Sequence, residues 1–462
     1  MENLIKTIFT PIYNVVWGMP VLVLLVGCGI YLTVKTRFIA FRKFPFIVKN
    51  TLFKIFEKEH HGEGNLSPFQ ALATALAATV GTGNIVGVSG AILLGGPGAV
   101  FWMWVAALFG MSTKMAEATL AVAYRDVDSD GRVAGGPMFY ISKGLNWRWL
   151  GKTFAFLGTF ATLGIGNTVQ ANAISETLYL TFRIPKLASG IVVAVIVFAV
   201  IIGGIKRIGS FAEKLVPFMS VFYILGGIIV LILHRENLGV AFASIFKEAF
   251  NIRSAGGGVA GYTMLVAMRN GVARGVFTNE AGLGSSPIAH AAATSDHPSR
   301  QGMWGVFEVF MDTIVVCTIT ALVILSTGLW EQHENAASLV AYCFSEGFAG
   351  GRYLVSIGLA LFALTTILGW AYYGESCCRY FFGQKSGIIY KLIFVPLIVV
   401  GAVIKLDLIW LIADSLNGLM AIPNLIGLFG LSGVVYRLQK DFYADPLRIR
   451  KDNAEWEQVL SK

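Results

Sequence analysis

The sequence predicts an all-helical, polytopic membrane protein with about eleven transmembrane helices, and three observations carry that prediction. Hydrophobic residues fill 55% of its 462 positions and charged residues only 14%, where a soluble domain carries about 25% charged. Apolar runs of roughly 18 residues or more recur along the chain, the length at which a helix spans hydrocarbon. Between those runs, gaps rich in lysine and arginine alternate with lean ones, as cytoplasmic and external loops do.

Taken in order, an amphipathic lead over 1–16 precedes the first apolar run, Gly18 to Val34. No small-residue cleavage site follows it; Lys35, Arg37, Arg42 and Lys43 do, so it reads as an uncleaved helix rather than a signal peptide. The basic stretch from Lys35 to Glu63 reads as cytoplasmic. Further spans are expected near 70–94, 98–123, 153–181, 187–204, 212–233, 258–292, 304–328, 352–374, 388–404 and 408–436. Most are ordinary hydropathy assignments. The exception is 258–292, which holds Arg269, Arg274, Asn279 and Glu280 and competes with a loop reading.

Charge placement tests the count. With the N-terminus outside, the cytoplasmic gaps hold the 35–63 cluster, then Arg125, Arg132, Lys143, Arg148 and Lys152, then Lys206, Arg207 and Lys214. Arg300, the set Arg379, Lys385 and Lys391, and the tail residues Arg437, Lys440, Arg448, Arg450 and Lys451 continue the series. The opposite gaps hold few basic residues, and 329–351 carries Glu331, Glu334 and Glu346. The bias survives only if 258–292 crosses once. The formal net charge of +9 is therefore topology, which excludes a nucleic-acid footprint and leaves the C-terminus cytoplasmic. Five cysteines without metal-ligand spacing read as small buried hydrophobes. The six histidines fall in loops or near helix ends, which argues against an integral membrane enzyme.

The chain divides into an added N-terminal helix with its basic segment (1–69), two groups of five helices (70–234 and 235–436) and a charged tail (437–462), read as a short amphipathic helix. Each group opens on an interrupted helix: Gly81-Thr82-Gly83 in one, Phe277 to Gly284 in the other. Glycine weakens a helix interior by about 1 kcal/mol relative to alanine. A break in hydrocarbon persists only where it lines a cavity. A glycine seam for close helix packing is the competing reading. Five being odd, the groups have opposite orientation, and matched breaks in inverted halves point to a secondary transporter. The halves show no readable residue-level similarity. A half-helix starting after Gly83 points N–H groups and a positive dipole end at a carboxylate, and carbonyls near Val80 suit an ammonium group or Na⁺.

The run Gly95-Gly96-Pro97-Gly98-Ala99-Val100-Phe101-Trp102-Met103-Trp104-Val105-Ala106-Ala107-Leu108-Phe109-Gly110 resembles the signature of the alanine or glycine:cation symporter family. Gly81-Thr82-Gly83-Asn84, Gly135-Gly136-Pro137-Met138, Asn279 to Gly284 and Thr365-Thr366-Ile367-Leu368-Gly369-Trp370 resemble it too, in order and spacing, so that the likeness spans about 10 to 440. The resemblance implies a leucine-transporter-type fold: a 5+5 inverted repeat with one extra N-terminal helix and discontinuous first and sixth core helices. It also implies sodium-driven uptake of L-alanine, glycine or a similar small amino acid across a prokaryotic plasma membrane, with Na⁺ as coupling ion and no other cofactor.

On that basis the expected substrate contacts are Thr82, Gly83 and Asn84 after the first break, Phe277, Thr278 and Asn279 at the second, and Gln170 and Trp370. Gln170 competes with a plain interhelical hydrogen bond, and Trp370 with an interfacial aromatic belt. Thr365 and Thr366, with carbonyls near Ala78 and Gly81, are the expected sodium ligands; hydroxyls bonded back to their own helix are the alternative. Glu308 and Asp312, at i and i+4, are candidates for an inner gate or ion pathway, or a structural pair. Glu280 is expected to anchor the second break through backbone N–H groups, and Lys114 to pair with Glu117 near the membrane surface. A proton-coupled carrier on the same fold, a channel and a membrane enzyme are the rival functions.

Overall fold

The protein is described by a computed structural model covering residues 2–55, 57, 61–127, 131–250, 264–333, 335–404, 407–450 and 454–460. Helices α1 (Glu2–Val16) and α2 (Met19–Lys35) form one 34-residue apolar candidate span that bends at Trp17-Gly18. Short helices α3 (Ile39–Arg42) and α4 (Phe44–Thr51) follow in the basic segment. α5 (Pro68–Thr79) starts on a reciprocal cap: Ser67 Oγ accepts from Gln70 N, Gln70 Oε1 accepts from Ser67 N, and Pro68 opens the helix. The helix stops at Val80 and resumes as a π-turn at Gly83–Gly87 leading into α6 (Val88–Gly95), bent by 51°. The interruption expected at Gly81-Thr82-Gly83 is therefore present.

Next come α7 (Gly98–Ala123), a two-stranded hairpin (β1 Asp126–Val127, β2 Val133–Ala134) and α8 (Pro137–Gly144). α9 (Arg148–Leu163) passes through a π-turn at Gly164–Thr168 into α10 (Val169–Phe182), followed by α11 (Lys186–Ile201), α12 (Gly204–Leu233) and α13 (Arg235–Ala249). α14 (Met264–Asn279) is followed by a non-helical stretch and the four-residue α15 (Pro287–His290). α16 (Pro298–Val309) continues through a π segment, Phe310–Cys317, into α17 (Thr318–Thr327). The rest is α18 (Ala336–Gly347), α19 (Gly351–Phe382), α20 (Ser386–Val403), α21 (Asp407–Ala444) and α22 (Ala454–Glu457).

Among the described residues, seven helices are long and apolar enough to cross a membrane, or eight counting the bent α5–α6 pair; α11 is shorter. Large apolar side chains stand open on the outer faces, Val195 at 63%, Ile232 at 60% and Leu392 at 64% exposure, a surface that needs lipid rather than water around it. The start of the expected span 258–292, residues 258–263, lies outside the described residues. From Gly271 onward the chain follows α7 end to end. A Cβ at Gly271 would meet Ala99 O at 2.1 Å, one at Gly275 Met103 Cγ at 3.1 Å, and one at Gly110 Ala281 Cβ at 3.1 Å, while Arg125 Nη1 donates to Ala293 O at 2.7 Å. This stretch thus packs along the length of the 26-residue α7.

Two expectations need correction. The second break starts later than Phe277: helix continues through Asn279 and ends at Glu280, whose φ of 54° leaves the helical region. Asn279 sets that end, its Oδ1 accepting from Ala281 N at 3.0 Å, and Gly282 and Gly284 take the positive φ values that let the chain turn. The tail is not an amphipathic helix on its own. α21 runs on to Ala444, α22 has four residues, and Trp456 is buried while Arg450 pairs with Asp441 at 3.0 Å.

Candidate functional site

The two breaks meet. A Cβ at Gly83 would lie 3.1 Å from Thr278 Cβ, so only glycine lets the second half of the first broken helix approach the end of α14. The first break is held by its own side chain: Asn84 Oδ1 accepts from Gly81 N at 2.8 Å. The amide then reaches across to α16's π segment, Nδ2 donating to Asp312 Oδ1 at 2.7 Å. Thr278 donates to the same carboxylate oxygen at 3.2 Å, and Thr313 to the other at 2.8 Å. Asp312, fully buried, therefore ties both breaks to one strut.

Around the junction lies a small cavity walled by Ala78, Thr79, Gly81, Thr82, Gly83, Ile165, Gln170, Phe277, Thr278, Glu280, Thr366, Trp370 and Asn417. Gln170, on α10, accepts from the Thr82 hydroxyl at 3.3 Å and donates to Ile165 O at 3.1 Å. Trp370 is buried beneath the cavity rather than standing at a membrane surface, and Gly166 makes room for it: a Cβ there would sit 2.1 Å from Trp370 Cβ. Thr366 faces the first break, its Oγ1 2.6 Å from where a Gly81 Cβ would be. α19 packs α5 closely here, a Cβ at Gly369 meeting Ala78 Cβ at 2.8 Å.

Nine of the residues expected from the sequence thus share one cavity: Ala78, Gly81, Thr82, Gly83, Gln170, Phe277, Thr278, Thr366 and Trp370. The others do not line it. Thr365 turns away, its hydroxyl 3.6 Å from Met219 Sδ on α12. Both threonines also bond back to Phe362 O at 2.9 Å, which leaves the Thr366 oxygen's lone pairs toward Gly81. The side chains of Asn84 and Asn279 are spent on holding the breaks. Glu308 and Asp312, expected as candidates for an inner gate or ion pathway or as structural partners of a neighbouring Arg or backbone group, bond to different neighbours: Glu308 bonds His290 at 2.7 Å and lies 3.7 Å from Lys114. Lys114 and Glu117 do approach, at 3.6 Å, but fully inside the protein rather than near its surface. Glu280 is bonded by the Ser285 hydroxyl, not by backbone N–H groups as expected.

Three cavity residues had no forecast: Thr79, Ile165 and Asn417. Asn417 on α21 is buried, and its Oδ1 has no partner among the described residues. Its only trace in the sequence is the polar pattern Asp414-Ser415-Asn417 inside an apolar run. The cavity's field is now defined. Beyond Leu76 and Val276, whose carbonyls accept from Val80 N and Glu280 N, the final carbonyls of α5 and α14 lack helical partners; with Asn417 Oδ1, Glu280 and Thr366 Oγ1 they make one side an acceptor surface. N–H groups at the start of the resumed helix, Thr82 and Gly83, make the other a donor surface.

The cavity's volume is about 20 Å³, enough for one water-sized species. On the far side of Phe277 a vestibule of about 660 Å³ reaches Thr82, Gly83 and Phe277 from outside, passing Arg274, Tyr342, Arg352 and Trp410. Phe277 separates the two, stacked on Trp410 with centroids 6.3 Å apart.

A buried polar cavity between two broken helices, in an all-helical protein with a lipid-facing surface, defines a multi-pass membrane transporter. The family profile described as the sodium:alanine symporter family matches residues 1–455. The chain is 49% identical to the sodium/alanine symporter AgcS of Methanococcus maripaludis over 95% of this chain and 97% of that one. It is 45% identical to an uncharacterized transporter of Haemophilus influenzae over 99% of both, and 37% identical to the probable sodium/glutamine symporter GlnT of Bacillus subtilis over 100% of this chain and 95% of that one. Among solved structures, the manganese transporter of Eremococcus coleocola is similar in fold, with a TM-score of 0.54, 14% identity and coverage of 89% and 88%. The chain belongs to the sodium:alanine symporter family; it is a sodium-coupled amino-acid symporter and not an enzyme.

Proposed function

We propose that this symporter imports a small neutral amino acid, alanine ahead of glycine, together with Na⁺ across a prokaryotic plasma membrane, N-terminus outside. The observation that carries the reading is the cavity where both breaks, Gln170, Thr366 and Trp370 converge. Its donor and acceptor sides lie across a short gap, which suits the carboxylate and ammonium of one zwitterion. Thr82 and Gly83 N–H groups take the carboxylate, with Gln170 orienting Thr82. The carbonyls of Phe277, Thr278 and Asn279, with Asn417, take the ammonium. Trp370 closes the floor and leaves room for a methyl group rather than a long side chain. Na⁺ is cargo held by Thr366 Oγ1 and the carbonyls of Ala78 and Gly81, hard oxygen donors of the kind alkali cations prefer. The similarity to a named sodium/alanine symporter supports alanine as first choice.

Alternating access follows from the same parts. Substrate exceeds a cavity of about 20 Å³, so the cavity must widen, with Phe277 and Trp410 parting to admit substrate from the vestibule. Asp312, bonded to both breaks, makes them move together. Na⁺ ordering the first break then favours substrate, and substrate favours Na⁺ by the same factor. The matched breaks, each opening a group of five helices, support the inverted 5+5 repeat with one added N-terminal helix. In proteoliposomes, radiolabelled alanine uptake should vanish when choline replaces external Na⁺ and be competed by glycine. Undiminished uptake without a sodium gradient would overturn the coupling.

A further inference from the structure

Next to the cavity, α7, α15, α16, α21 and the turn after α14 enclose a second polar set that the alanine and sodium contacts leave unused. Lys114, Glu117, His290 and Glu308 are fully buried, and Glu280 is nearly so. Glu117 and Glu308 share the Lys114 ammonium, and Glu280 lies beside them, in an interior where an uncompensated charge is costly.

The donors are unevenly shared. Glu117 Oε1 accepts from Gly282 N at 3.1 Å and Asn424 Nδ2 at 2.6 Å, and Glu308 Oε2 bonds His290 Nε2 at 2.7 Å. Both flank Lys114 Nζ, at 3.6 and 3.7 Å, while that ammonium donates to Ser286 Oγ at 2.6 Å. Glu280 receives the Ser285 hydroxyl, and among the described residues no cation stands within ion-pair distance of it. It also lines the cavity. Its backbone takes a positive φ at the turn, and burial with the Ser285 hydrogen bond keeps its carboxyl inside.

At the far end of the network Gln301 Nε2 lies 2.7 Å from His290 Nδ1, and Gln301 Oε1 is buried without a partner. Glu117 Oε2 and Glu308 Oε1 are likewise buried without hydrogen-bond partners.

We propose that Glu280 is a proton-binding site whose proton leaves for solvent as the amino acid enters the cavity, with Ser285, Ser286 and Lys114 linking it to Glu308 and His290. The proposal rests on the cavity being the amino-acid site. An ammonium arriving beside Glu280 favours its carboxylate; the carboxyl O–H bond breaks, the proton goes to water and then to buffer, and nothing is oxidised or reduced. The charged and titratable groups facing this network are Lys114 and Glu117 on α7, His290 on α15, Glu308 and Asp312 on α16 and its π segment, Tyr140 on α8, Tyr373 on α19 and Cys28 on α2.

The test is titration calorimetry of the purified full-length protein with L-alanine in saturating NaCl, at pH 6, 7 and 8, in phosphate, HEPES and Tris, whose ionisation enthalpies differ. The observed enthalpy should vary linearly with buffer enthalpy at one pH or more, with a slope giving release of roughly half to one proton per alanine. Glu280→Gln, which also alters the acceptor side of the cavity, should bind alanine more weakly, and the slope should be gone from the binding that remains. Ser285→Ala, which removes the donor to Glu280, should move the pH of half-maximal release upward and serves where Glu280→Gln does not fold. Alanine binding with zero slope at all three pH values overturns the proposal, as does zero slope with two Na⁺ bound per alanine, or a slope that survives Glu280→Gln. Absence of alanine binding in the native protein would instead reject the cavity reading, and this site with it.

Discussion

Two adjacent threonines give the sharpest test of the sodium site, because the sequence treats them as a pair and the structure does not. Thr366→Val keeps the side chain's shape and removes the oxygen that faces Gly81, at 2.6 Å from that residue's would-be Cβ. The lost bond back to Phe362 O is cheap, since that carbonyl lies within α19 and keeps its helical partner. What remains is the loss of one neutral oxygen from a cation, comparable to a hydrogen bond with a charged partner, about 1.5–3 kcal/mol. At about 1.4 kcal/mol per decade, the Na⁺ half-saturation concentration should rise about 10- to 100-fold. Thr365→Val removes a hydroxyl that packs against Met219 on α12 and lines no part of the cavity, so half-saturation should shift by less than about twofold. The assay is initial-rate alanine uptake into proteoliposomes against external Na⁺, with thermal melting as a folding control. Unchanged half-saturation in Thr366→Val, or a larger shift in Thr365→Val, would refute the assignment of Thr366 Oγ1 to sodium.

Three further outcomes are expected. Gly166→Ala puts a Cβ 2.1 Å from Trp370 Cβ and 2.4 Å from its Cγ; the indole must shift into the cavity at about 1–3 kcal/mol of overpacking, so alanine KM should rise about tenfold or more while Na⁺ half-saturation in saturating alanine changes little. Asn417→Ala removes an acceptor that the protein itself leaves unpartnered, and alanine affinity measured by calorimetry should fall about tenfold, the weight of one hydrogen bond to a charged group. The third concerns pH. Burial, then Arg450 and Arg300, hold the His297 imidazole down to about 2, although Asp441, itself paired with Arg450, lies 3.3 Å away. A histidine lowered from 6.5 is neutral when folded and charged when unfolded, so its contribution is complete above about pH 6.5 and is lost as pH falls toward 2. The melting temperature should therefore drop from pH 7 to pH 5, and drop less in His297→Gln.

What the sequence disclosed follows its local signals. Gly81 and Gly83, two positions apart in an apolar run, announced a broken helix because glycine's cost inside a helix is local. The second break was placed a few residues early because its boundary depends on Asn279 choosing to cap Ala281 rather than continue the helix, a competition between near-equal hydrogen bonds that composition does not resolve. Thr366 and Thr365 were indistinguishable as neighbours because the face each presents is set by how α19 rolls against α5 and α12. The charged network was misplaced for a related reason. Lys114 and Glu117 at i and i+3 look like a surface pair, and only the packing of α15, α16 and α21 against α7 puts Ser286, Glu308 and Asn424 around them. That misreading locates a physical division in the molecule. The alanine and sodium contacts proposed here are mostly backbone groups exposed by the breaks, which sequence can foresee; the titratable groups of the neighbouring network come from three helices, α7, α15 and α16, and Glu280, at the turn that ends α14, is the residue both sets share.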